Sequence, residues 1–143
     1  MDEQREPTDS GGTYTLLIEL DSDATIDVGA LGAVAFDTGW YAYVGSAQGP
    51  GGFSRVQRHR ELAAGERTVR HWHLDYLLGH PSAAIDWVCQ TAGVDGECAV
   101  AGTLEGERVP AFGCSDCSCD SHLVYRDLRE PLVTSVERAH DRL

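Results

Sequence analysis

The chain has 143 residues and carries 23 acidic side chains against 11 basic ones, a formal net charge of −12. That length suits one domain with an ordinary core. No apolar run approaches the ~18 residues of a membrane helix, and the polar opening MDEQREPTDSGG lacks the apolar stretch of a signal peptide, so a cytoplasmic protein with no membrane partner is expected.

In chain order, residues 1–11 read as a disordered acidic tail. Tyr14 to Leu20 (YTLLIEL) is nearly continuously apolar, as a central strand buried on both faces would be. Residues 21–37 are polar and glycine-punctuated, with Ile26, Val28, Val34 and Phe36 expected to pack over one edge. Trp40, Tyr41, Tyr43 and Val44 then mark a second strand. It breaks in a loop, Gly45 to Gly52, whose glycines let backbone approach a ligand closely. In the helix that follows, Arg55, His59 and Leu62 fall at i, i+4 and i+7, so a guanidinium and an imidazole share one face.

Val69 to Leu78 reads as a second amphipathic helix, ended by Gly79 and Pro81. His71 and His73 lie within it, but residues two apart do not share a helix face, which leaves them a structural or substrate-contacting role ahead of metal binding. Ala84 to Gln90 is the third strand, Thr91 to Gly96 a turn, and Glu97 to Leu104 a third helix. A later strand at His122 to Tyr125 and a terminal helix or tail from Glu130 complete the chain.

Tyr43-Val44-Gly45-Ser46-Ala47, with Arg55 and Arg58-His59 behind it, resembles the second half of the GIY-YIG nuclease signature, and Gly12-Thr13-Tyr14 resembles the first half. The order strand, strand, helix, helix, strand, helix is the one such a core would have. Tyr14 and Tyr43 stand 29 positions apart, wider than in compact members of that superfamily. The insertion resembles an uncharacterised prokaryotic branch, of the domain of unknown function 123 type, sometimes fused to a base-excision repair enzyme. The fold this implies is a single α/β domain over residues 12–128, a small, mostly antiparallel sheet of three to four strands flanked by helices, with residues 129–143 as a C-terminal helix or tail.

The resemblance also implies an activity, metal-dependent hydrolysis of phosphodiester bonds in DNA. Tyr14 or Tyr43 would be the general base. A tyrosine, with a free pKa of about 10, needs a neighbouring cation for that, and Arg55 and the metal would supply it. Arg55 would also stabilise charge on the phosphoryl oxygens, and His59 would relay a proton or bind phosphate. Glu97, the first acid on the helix after the third strand, would hold Mg²⁺ or Mn²⁺ through a hard carboxylate oxygen. The plainer role for Glu97 is to complement the helix dipole.

An acidic balance argues against a nucleic-acid partner, but the charges are unevenly spread. Residues 1 to 40 hold nine acids and only Arg5, whereas Arg55, Arg58, Arg60, Arg67 and Arg70 face only Glu61 and Glu66 between residues 55 and 70. Gly45, Ser46, Arg58, Arg60 and Arg70 are therefore the expected nucleic-acid contacts, with a solvated helix face as the alternative. All basic residues are arginine, and lysine and asparagine are absent. This composition resembles proteins of salt-loving archaea, whose cytoplasmic salt, with a Debye length of about 3 Å at 1 M, screens self-repulsion and leaves recognition to short-range arginine contacts.

Five cysteines remain, and Cys114, Cys117, Cys119 and His122 offer a zinc ligand set, against which stands the reading of plain buried thiols. A different class of function, a non-catalytic nucleic-acid-binding or zinc-stabilised scaffold, is the competing expectation. No separate DNA-binding segment is visible, so specificity would come from the core or from a targeting protein.

Overall fold

The computed structural model describes residues 12–46, 54–66, 73–94, 96–109, 112 and 121–143. The elements, in order, are β1 (Gly12–Leu20), β2 (Ala24–Asp27), a 3-10 turn (Gly29–Leu31), β3 (Ala33–Phe36), β4 (Gly39–Ser46), α1 (Ser54–Ala63), α2 (His73–Leu78), β5 (Ala83–Ala92), α3 (Glu97–Thr103), β6 (Glu107–Arg108), β7 (Leu123–Arg126) and α4 (Arg129–Asp141). The main sheet has five strands in the order β5-β1-β4-β7-β6, with every neighbouring pair antiparallel. The expected α/β class and antiparallel sheet are present. The strand count rises from three or four to five because the two-residue β6 pairs with β7, a pairing that a Glu-Arg stretch does not advertise.

β1 is central because both of its faces are apolar. Tyr14, Leu16, Ile18 and Leu20 enter one core with Val56 and Leu62 of α1 and Leu74, Leu77 and Leu78 of α2. Leu17 points the other way, into a second core with Val100 and Ala101 of α3 and Leu132, Val136 and Ala139 of α4. The alternation follows from the two-residue period of a strand. The three terminal-helix side chains show that α4 covers the sheet as fully as α3 does.

Residues 21–37 form more than an edge covering. β2 and β3 make their own two-stranded sheet, Ala24 opposite Phe36 through Asp27 opposite Ala33, and Ile26, Val28 and Phe36 are buried in the first core. Four-residue strands give too short an alternation to be read from sequence. On β5 a register shift opposite Leu17 and Ile18 releases Asp86 to bind Arg129 at 2.8 Å.

His140 ties α4 down. Its Nε2 lies 2.8 Å from the Thr15 hydroxyl and its Nδ1 2.8 Å from that of Thr91, so one ring links β1, β5 and α4. Among the described residues no helix is long and apolar enough to cross a membrane.

Candidate active site

Tyr14 and Gly45 face each other across β1 and β4. The Tyr14 ring lies over the glycine so closely that a Cβ there would stand 2.5 Å from the phenolic oxygen. Gly45 and Ser46 were expected to begin a ligand-binding loop. Both instead lie in β4, and Gly45 lacks a side chain because the tyrosine occupies that space. The rest of the expected loop, 47–52, lies outside the described residues.

The Tyr14 hydroxyl meets His59 Nε2 at 2.8 Å, and both residues are buried. Burial pulls the His59 pKa down to about 4, with Asp75 opposing and Arg58 and Arg55 adding to the fall. Burial, chiefly, holds the Tyr14 phenol well above its usual range. A protonated phenol beside a neutral imidazole leaves one arrangement, in which the hydroxyl donates and Nε2 accepts. The expected lowering of the Tyr14 pKa by a cation does not prevail. Arg55 does act in that direction, but desolvation, Tyr43 and Glu97 outweigh it.

Arg55, one helical turn before His59, donates to the Ser46 carbonyl at 2.6 Å, which anchors α1 to the end of β4. Tyr43, partly exposed, sets its ring edge-on to His59 at 6.3 Å and to His122 at 6.4 Å between centroids. Glu97 opens α3, and Thr13 positions it there: the Thr13 hydroxyl donates to the Val94 carbonyl at 2.7 Å and accepts from the Gly96 amide at 2.8 Å. Its carboxylate reaches toward the same cluster, with Oε2 3.7 Å from His122 Nδ1 and its charge felt at Tyr14. The side chain is 29% exposed. A partly exposed hard carboxylate is a donor that Mg²⁺ or Mn²⁺ accepts.

The structure thus brings Tyr14, Tyr43, Arg55, His59 and Glu97 together from four elements. The expected nucleic-acid contacts separate. Arg58 makes a bidentate pair with Asp75, at 3.2 and 3.1 Å, and Asp75 is fully buried. The guanidinium, 19% exposed, neutralises an interior carboxylate on α2. Arg60 is exposed, and Arg70 lies outside the described residues. So do Cys114, Cys117 and Cys119, three of the four expected zinc ligands. The fourth, His122, is buried with its pKa lowered by desolvation, and its Nε2 lies 3.8 Å from Cys98 Sγ. Among the described residues no group of three or more His, Cys, Asp or Glu side chains could hold a metal ion by themselves.

Asp75, Thr13 and Cys98 were not singled out from the sequence. Asp75 carried a signal, since a carboxylate inside the apolar face of a helix requires a buried cation. Cys98 and His122 meet only through the tertiary fold. Set against known proteins, residues 13–143 match the family model described as "Domain of unknown function DUF123". Neither the curated proteins nor the solved structures give a match.

Proposed function

The chain belongs to the DUF123 family, by a match over most of its length, and from the chemistry of its site we propose that it is a GIY-YIG-type endonuclease that hydrolyses phosphodiester bonds in DNA with a divalent metal. The observation that carries this reading is the convergence on Tyr14. A phenol bonded to His59 also senses Arg55 and Glu97, residues that a merely structural sheet tyrosine does not need.

Tyr43, partly exposed on β4, is the tyrosine placed to take a proton from the attacking water. Tyr14, buried and held protonated, is a positioning residue that fixes the His59 ring and through it the face of α1 that presents Arg55. Arg55 faces the phosphoryl oxygens and offsets charge that grows on them as the water oxygen bonds to phosphorus and the opposite P–O bond breaks. Glu97 would hold the divalent ion, whose chemistry there would be Lewis-acid stabilisation of the leaving oxygen. Glu97, flanked by His122, orients its carboxylate into the site.

The test is cleavage of labelled single-stranded, duplex, flap and four-way-junction DNA in molar KCl with Mg²⁺ or Mn²⁺. Wild type is compared with Arg55→Ala, Tyr43→Phe and Glu97→Gln. Metal-dependent cutting that falls at least 100-fold in each variant is the expected result. A folded protein that binds these DNAs and cuts none of them would make it a nucleic-acid-binding scaffold instead.

A further inference from the structure

Along α4, on the side that meets the end of α3, runs a cleft of about 420 Å³. Arg126 of β7, Arg138 of α4 and Arg142 just past its end line it, against Glu105 and Glu130. Glu130 is bonded to Arg129 at 2.8 Å, and Arg126 donates to the Glu105 carbonyl at 3.3 Å. Arg138 and Arg142 make no side-chain hydrogen bond or ion pair with another described residue. In a chain where acids outnumber arginines 23 to 11, two arginines facing one cleft with no acidic partner among the described residues run against the average surface.

Their spacing and position narrow the ligand. Residues four apart on a helix stand about 6 Å apart along its axis, close to two steps of one nucleic-acid strand at roughly 3.4 Å each. The Arg142 end of the cleft adjoins the start of α3. Leu143, next to Arg142, packs against Gly96, where a Cβ would stand 2.5 Å from its Cδ2, and Gly96 immediately precedes Glu97.

We propose that this cleft is a second contact for the DNA backbone, in which Arg138 and Arg142 bind phosphates two steps apart on one strand. The proposal rests on the nuclease reading. Arginines in a last helical turn also complement the carbonyl end of the helix, and the test separates that role from DNA binding.

Fluorescence anisotropy with labelled 30-nucleotide DNA in EDTA, repeated across KCl concentrations, compares wild type with R138Q/R142Q. Cleavage of a short oligonucleotide that fills only the catalytic site, and thermal melting, are measured alongside. The double variant is expected to bind long DNA at least tenfold more weakly and to lose about 1.4–1.8 from the slope of log affinity against log salt, at about 0.7–0.9 per phosphate. Short-substrate cleavage and melting should be unchanged. Affinity and slope equal to wild type would overturn the proposal. So would a fall in melting temperature alone, which would assign both arginines to the helix end. If wild type cuts DNA and the variant matches it on long DNA, only this inference fails; if wild type neither binds nor cuts, the nuclease reading fails with it.

Discussion

Gly45→Ala tests the architecture of the site without reference to activity. The added methyl would stand 2.5 Å from the Tyr14 oxygen and 2.9 Å from its Cε1, well inside contact distance. Tyr14 is 1% exposed and bonded to His59 at 2.8 Å, so its ring has nowhere to retreat without losing that bond. Overpacking costs about 1–3 kcal/mol and the lost hydrogen bond about 0.5–1.5 kcal/mol, a combined destabilisation of about 1.5–4.5 kcal/mol. At roughly 3 °C per kcal/mol for a domain of this size, melting should fall by about 5–14 °C. Urea unfolding supplies the free energies, and a double-mutant cycle isolates the contact. On a Tyr14→Leu background, which lacks the far edge of the ring, Gly45→Ala should cost little. On a Tyr14→Phe background, which keeps the ring, most of the penalty should remain. An equal cost on all three backgrounds, or a cost within about 0.5 kcal/mol of zero in wild type, would refute the packing account.

The buried ion pair predicts an asymmetry. Arg58→Met takes the guanidinium from a fully buried carboxylate and should cost about 3–5 kcal/mol, whereas Asp75→Asn leaves a side chain that is 19% exposed and able to turn toward water, and should cost about 2 kcal/mol; equal costs in urea unfolding would contradict this. Stability should also depend on pH through the histidines. His59 takes up a proton near 6.5 when unfolded and near 4 when folded, so its contribution is complete above pH 6.5 and about 3 kcal/mol is lost as pH falls toward 4. His122 and His140, also lowered by burial, add with the same sign. Urea titrations of wild type and His59→Gln between pH 7.5 and 4.5 should show a shallower pH slope in the variant, and identical slopes would exclude His59 as the source. Thr13→Val removes both anchors of the loop before Glu97; DNA cleavage should fall, with a stability cost of about 1–3 kcal/mol, and more Mg²⁺ should partly restore the activity.

Much of the candidate site was legible because its spacing is local. Arg55 and His59 share a helix face by their four-residue interval, and Tyr43 sits on a strand that its own neighbours define. Central β1 was legible for a similar reason, since seven nearly continuous apolar residues require two covered faces. What sequence could not supply was register. That Tyr14 lies opposite Gly45 depends on the pairing of two strands separated by the β2–β3 hairpin, so the glycine looked like loop backbone instead of space for a ring. The pairing of Arg58 was not legible because its partner lies on another helix, beyond the first. Cys98 and His122, 24 positions apart, are joined only after α3 and β7 take their places beside β4.

The depth of that assembly governs when the site can exist during synthesis. β1 must pair with both β4 and β5, and Gly12 meets Ala92 at the far end of the second pairing. Glu97 arrives five residues later. At roughly 5–20 residues per second, an emerging chain spends several seconds with Tyr14, Tyr43, Arg55 and His59 already made but with neither the strand that closes one edge of β1 nor the acid that completes the cluster. Non-local pairing of this kind is slow. A chain still on the ribosome, or one truncated before α3, would therefore carry most of the side chains of the candidate site and none of its assembled geometry.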